Sequence, residues 1–183
     1  MEFGEARLLS AAHSLRASTD AAAQESLVSN SLLVLAIFAA APNEHSFDAE
    51  IDAAIADVAH IFSVPNTLVR AVIKTESAFR VRAESPCGAR GLMQVMPFNA
   101  TKLGLTNADE LWVPRLNILA GVRLLAVLLK HYEGDVIAAL VAYNSGPKAK
   151  LAPVPANGET PGYVARILRL WRAFDAERAD AAK

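Results

Sequence analysis

Cysteine is all but missing from this chain. Cys87 is the only one in 183 residues, so no internal disulfide can form and no zinc cluster can be built on thiolates. Histidine is sparse. His13, His45, His60 and His131 are scattered, with no metal-binding spacing among them. No metal and no organic cofactor are expected. An excess of charge of either sign is also missing. The 18 Lys and Arg nearly balance the 19 Asp and Glu, for a net charge of −1, so the basic footprint of a nucleic-acid binder is absent. Long apolar runs are lacking too. The strongest, residues 32–41 (LLVLAIFAAA), is about half the length that spans a bilayer. It reads either as the apolar part of a signal or export segment, with alanines near 39–41 at the processing site, or as a core or docking helix of the N-terminal extension. Glu2, Glu5, Asp20 and Glu25 upstream, and Pro42 after the alanines, weaken the signal reading.

What is present is a hydrophobic fraction of 53% with 20% charged residues, which suits a helical globule and excludes global disorder. Residues 1–47 differ in character and form an N-terminal helical or flexible extension. The domain proper covers 48–174, followed by a charged, Ala-rich tail, 175–183, expected to be flexible. Ile51, Ile55, Val58 and Phe62 recur along one helical face. Pro65 opens a second helix reaching about Ser77, with Leu68, Val69, Val72 and Ile73 inward. Residues 78–96 carry Pro86, Gly88 and Gly91 and read as loop. A helix is expected from Pro97 to Gly104. A longer one starts at Pro114, buries Leu116, Leu119, Val122, Leu125, Leu128, Leu129 and Tyr132, and is stopped by Gly134. Asp135 caps a short apolar helix that breaks at Gly146-Pro147. Thr160-Pro161 opens the last helix, which buries Val164, Ile167, Leu168, Trp171 and Phe174. No strand pairs stand out. The class is all-α.

Glu76 stands where a carboxylate is unexpected. It follows Val72 by four residues, Ile73 by three and Val69 by seven, which puts it on the apolar face of its helix. Burial there raises a carboxyl pKa, and the negative end of the helix dipole pushes the same way. A carboxylic acid still protonated near neutral pH is what a general acid needs. The competing reading is a glutamate at a frayed helix end, pointing into water. The loop beyond it places Ser85 and Gln94, neutral hydrogen-bonding groups suited to sugar hydroxyls and amides, beside Leu92, Met93 and Met96. Alone, that loop is equally a surface loop packed over the core.

An ordered series of short elements separates these readings. Glu76-Ser77 with Phe79 is followed by Ser85, then Gly88-Ala89 and Gly91-Leu92-Met93-Gln94, then Met96-Pro97. Leu103-Gly104, Asn117-Ile118 with Gly121, Ala142-Tyr143-Asn144 with Gly146-Pro147, and Glu159-Thr160 with Tyr163-Val164 complete it. In order and spacing this resembles the lytic transglycosylase family with a soluble-lytic-transglycosylase, goose-lysozyme-like domain. The match covers about residues 50–170. Asn99-Ala100-Thr101 reverses the family's usual Thr-Ala order, and the segment before Glu159 keeps only some of the usual prolines.

The resemblance implies a lysozyme-like helical domain and an enzyme of the cell wall, a carbon–oxygen lyase. It would cleave the β-1,4 bond between N-acetylmuramic acid and N-acetylglucosamine and leave 1,6-anhydromuramoyl ends. Glu76 would serve as acid and then as base, with the muramoyl N-acetyl group assisting. Ser85 and Gln94 would bind the sugar and its acetamido group, and Met93 and Met96 would shape the cleft. Tyr143 would sit near Glu76 and orient it or the acetamido group. Asn144 shares that element, or merely caps the break before Gly146. Glu159 would line the cleft or hold its loop. Glu84, the one other acid nearby in sequence, reads as a solvated loop charge. A goose-type lysozyme hydrolase and a non-catalytic peptidoglycan-docking accessory remain alternatives. The implied partner is the peptidoglycan strand, with a secretion or envelope assembly as a candidate second partner. The expected state is a monomer, in the periplasm, at the cell envelope or secreted.

Overall fold

Proline decides where two of the helices begin. The computed structural model describes residues 47–145 and 159–183. Residues 1–46, which hold the candidate export segment 32–41, and residues 146–158 lie outside the described residues. Helix α1 is Phe47–Ile61. Ser63, at φ 53°, turns the chain, and Pro65 caps α2, Asn66–Glu76. Pro114 is the first residue of α3, Pro114–His131. Its missing N–H is no loss in a first turn, and its fixed φ is already helical. Asp135 accepts from the Ala138 amide at 3.0 Å to start α4, Val136–Ser145. Helix α5 is Glu159–Ala181. The apolar pattern ends near Phe174, yet the helix continues, because Ala, Glu and Arg are good helix formers without any packing. Every residue beyond Asp175 is exposed.

Among the described residues the helices pack as a closed ring: α1 on α2, α2 on α5, α5 on α4, α4 on α3, and α3 back on α1. The core is aliphatic. Ile55, Leu68, Val69, Ile73, Ile118, Leu125, Leu140 and Ile167 are fully buried. Of the inward residues expected of the Pro114 helix, Leu119, Val122, Leu125 and Leu128 are buried, while Leu116, Leu129 and Tyr132 are half-buried.

The stretch from Pro97 to Gly104 is not an α-helix. It forms two 3-10 turns, Pro97–Asn99 and Thr101–Leu103, closed by Gly104 at φ 91°. Ala100 donates to Pro97 O, and Leu103 to Ala100 O, each at 3.1 Å, the tighter three-residue step. A third such turn, Ala108–Trp112, was not expected. Asn107 caps it through the Asp109 and Glu110 amides, and Glu110 accepts from the amide of Thr106, one residue before the cap.

The loop between α2 and the first 3-10 turn is folded by two isolated antiparallel bridges, Glu84 with Arg90 and Arg90 with Val95. Its anchor is Asn117, on the first turn of α3 and fully buried. Asn117 Oδ1 accepts from the Met93 amide at 2.8 Å. Its Nδ2 donates to Arg90 O at 2.8 Å and to Leu111 O at 2.9 Å. Gly91, at φ 76°, lies directly above, and a Cβ there would fall 2.2 Å from Asn117 Nδ2. Asn117→Ala leaves a buried amide and a buried carbonyl unpaired, so it should cost ~3 kcal/mol in denaturant unfolding. A loss under ~0.5 kcal/mol would show that the loop is held by something else.

Candidate active site

Glu76 is the last residue of α2. The chain leaves the helix abruptly there, because Ala78 and Phe79 adopt left-handed conformations at φ 52° and 64°, rare for non-glycine residues. Ser77, buried, fixes the exit. Its Oγ lies 2.8 Å from Leu92 O and 3.2 Å from Ile73 O. Arg80 donates from Nε to Ser77 O at 3.1 Å and covers the helix end. Glu76 is thus held at the negative end of α2, mostly out of water.

One group contacts its carboxylate by hydrogen bond among the described residues. Tyr163, on the first turns of α5, donates from its hydroxyl to Glu76 Oε1 at 2.6 Å. Burial raises the Glu76 pKa from the ordinary 4.5 to about 7, against the opposing pull of the Tyr163 hydrogen bond. Burial, and then the nearby Glu76 charge, push both Tyr163 and Tyr143 well above the usual tyrosine range. Both phenols therefore stay protonated and remain donors. No salt bridge to Glu76 occurs among the described residues.

Tyr163 was quoted from the sequence only as part of the closing element, Glu159-Thr160 with Tyr163-Val164, and given no role. Its signal was there: it precedes Ile167 by four residues, on the helix face already assigned to the core. Tyr143 is close enough to feel the Glu76 charge, but its hydroxyl donates to Met93 O at 2.8 Å rather than to Glu76. The expectation had it orient Glu76 or the acetamido group; here its hydroxyl holds the loop backbone.

The other expected site residues divide between loop and cleft. Ser85 Oγ accepts from the Ala89 amide at 3.0 Å inside a tight turn. Gln94 Nε2 donates to Ala83 O at 3.0 Å and Gly91 O at 2.9 Å. Met93 does not line a cleft. Its side chain is fully buried, and a Cβ added at Gly121 would lie 2.5 Å from it. The Asn117 bond turns it inward. Met96 is half-buried and does face open space. It shares a cavity of about 330 Å³ with Gln94, Phe98, Leu128, Tyr143 and Asn144. Asn144 is exposed and donates to Thr160 Oγ1 at 3.3 Å, which links α4 to α5. Glu159 begins α5, but its side chain, with Gly146 and Pro147, lies outside what is described. Glu84 is exposed, 3.8 Å from Arg90. Among the described residues no group of acidic, histidine and cysteine side chains is arranged to hold a metal ion.

The family model described as the Transglycosylase SLT domain fits residues 54–163. The chain belongs to that family. A transglycosylase of Enterobacteria phage PRD1 is 45% identical to this SLT domain over 85 residues, covering 46% of this chain and 31% of the phage protein. The soluble lytic murein transglycosylase of Escherichia coli is 33% identical over 91 residues, covering 46% of this chain and 14% of its own. Among solved structures, the lytic transglycosylase Slt of Pseudomonas aeruginosa, in an inactive mutant form, superposes with a TM-score of 0.64 at 26% identity. It covers 69% of this chain and 24% of its own. This chain thus spans under a third of the length of each of these relatives.

The raised pKa of Glu76 has a sign in stability. Between the ordinary value of 4.5 and about 7 the folded state holds a proton that the unfolded state releases, so stability falls as pH rises through that window and is level above it. Glu76→Gln, which mimics the protonated acid, should change stability little at pH 4 and gain up to ~3 kcal/mol at pH 8, read from denaturant unfolding. Equal gains at both pH values would mean that Glu76 titrates normally. Tyr163→Phe removes the interaction that lowers the Glu76 pKa, so the carboxyl should titrate above about 7. Carbon-13 NMR of labelled glutamate measures it, and a downward shift would refute the assignment.

Proposed function

We propose that this chain is a peptidoglycan lytic transglycosylase. It cleaves the β-1,4 bond between N-acetylmuramic acid and N-acetylglucosamine and leaves 1,6-anhydromuramoyl ends, with Glu76 as acid and then base. The observation that carries this is a half-buried carboxyl with its pKa at about 7, held by one phenol 2.6 Å away. The names of the murein-acting relatives support the substrate class. The Pseudomonas relative was solved as an inactive mutant with glutamine in place of a glutamate, which supports an essential glutamate.

In this scheme Glu76 first gives its proton to the leaving glycosidic oxygen. Burial favours the protonated form that this step needs. The muramoyl acetamido oxygen assists at the anomeric carbon. Glu76, now a carboxylate, accepts the proton of the C6 hydroxyl as that oxygen closes the 1,6-anhydro ring. The Tyr163 hydrogen bond strengthens when Glu76 is charged and so steadies the intermediate state. One group with pKa near the working pH performs both transfers, unlike the paired carboxylates of most glycosidases. Ser85, Gln94, Met96, Asn144 and Glu159 contribute to the strand-binding cleft, and Tyr143 keeps the loop in register.

The substrate places the enzyme at the periplasmic or outer side of the cell envelope, reached by export or delivery. Among the described residues no helix is long and apolar enough to cross a membrane. The chain acts as a monomer on the strand, whether or not it serves a larger envelope assembly.

Incubation of the full chain with isolated murein sacculi should release anhydro-ended muropeptides by mass spectrometry, and Glu76→Gln should release none. Reducing-ended products would move the assignment to a goose-type hydrolase. Binding without products would move it to a docking accessory. Because Glu76 must begin protonated, kcat/KM should fall as pH rises through about 7. In Tyr163→Phe that limb should move to higher pH.

A further inference from the structure

Phe98 is the most exposed of the large hydrophobic residues described, with 67% of its surface open. Single exposed apolar side chains are ordinary, but this one has a particular setting. It sits in the 3-10 turn Pro97–Asn99, which is pinned by the ring of Pro97 and by the Asn99 amide donating to Met96 O at 2.9 Å. The ring is therefore mounted on stiff backbone. It borders the cavity of about 330 Å³ that Tyr143, the neighbour of Glu76, also lines.

The chemistry of that cavity is selective. Its described lining holds no ionised side chain. It offers apolar surface from Leu124, Leu128 and Ala142, and neutral amides from Gln94, Asn99 and Asn144. Gln94 has spent its Nε2 on the loop, so it presents a carbonyl acceptor to a ligand donor. Such a lining disfavours carboxylate-bearing peptide stems, whose charge would lose its hydration without gaining a partner. It fits a neutral ring with one apolar face and with hydroxyl and acetamido groups around its edge.

We propose that Phe98 is a sugar-stacking residue, whose exposed ring carries the apolar face of a neutral N-acetylhexosamine unit of the strand in this cavity beside the Glu76 site. This rests on the reading of the chain as a murein-strand enzyme, and it adds a residue that sets where the strand sits. The electron-rich face of the ring meets the C–H groups of the sugar, while the amides meet its edge. Phe98 contributes to holding the strand and not to the proton transfers.

The test uses the full chain carrying Glu76→Gln, titrated by calorimetry with the tetramer of N-acetylglucosamine. Adding Phe98→Ala should weaken binding roughly tenfold, and Phe98→Trp should restore it to within about twofold. Phe98→Leu, apolar but flat-faced nowhere, should remain weak. The Tm of every variant should match its parent, since an exposed ring supports no core. Unchanged affinity in Phe98→Ala, or Leu performing as well as Trp, overturns stacking. Absence of tetramer binding to Glu76→Gln, while the unaltered chain makes anhydro ends on sacculi, overturns the neutral-sugar cavity. Failure of the folded, unaltered chain on sacculi sinks the enzymatic reading instead, and an aromatic-dependent tetramer affinity would then still stand.

Discussion

Two consecutive residues of the loop tie three helices together. Leu92 O receives the hydroxyl of Ser77 at the exit of α2. The Met93 amide is held by Asn117 of α3, and Met93 O is held by Tyr143 of α4. Every one of these bonds joins side chain to backbone, and two of them are fully buried. A backbone strapped in this way cannot drift without breaking several bonds that no water replaces. The placement of Gln94, Met96 and the cavity follows from it, because they are the next residues along the same strap. Gly91 and Gly121 are small for the same reason: one gives way to Asn117, the other to Met93.

The fourth connection is of another kind. Tyr163 of α5 reaches the carboxyl itself. Burial and this hydrogen bond act on Glu76 in opposite directions, and burial is the larger. Burial alone would give a carboxyl that holds its proton too tightly to donate it readily, though its carboxylate would take one back easily. A phenol that stays neutral moderates this without adding charge, and the high pKa values of both tyrosines guarantee that it stays neutral. The result is a carboxyl whose proton affinity lies near neutrality, the range in which a side chain is best suited to general acid or base work.

Much of this was legible in the sequence, and the reasons for the rest are specific. The helices around Ile55, Val72, Leu125 and Ile167 follow from apolar spacing and from the positions of Pro65 and Pro114. The odd placement of Glu76 followed from the same spacing. Tyr163, quoted as part of the closing element, had no role assigned because a tyrosine on an apolar face has the same pattern whether it fills the core or turns its hydroxyl on a carboxyl. Met93 and Met96 looked alike in sequence; Met93 is held through its backbone by Asn117, 24 residues on, and by Tyr143, with its side chain buried, while Met96 lies beside the cavity. The internal bonds of Ser85 and Gln94 are set by the folding of the loop on itself, and spacing carries no trace of them. Residues 97–104 had the length and ending of an α-helix, and the choice of the tighter turn is made by local hydrogen bonds.

The pairing of α2 with α5 has a consequence for biosynthesis. Tyr163 and Glu76 are 87 residues apart, and the ring of helices closes only when the last of them docks. Contacts of such long range form late. A nascent chain emerging N-terminus first therefore carries Glu76 as an ordinary surface carboxylate, ionised at neutral pH, until α5 has left the ribosome and packed against α2. The carboxyl meets its phenol partner only once α5 lies against α2.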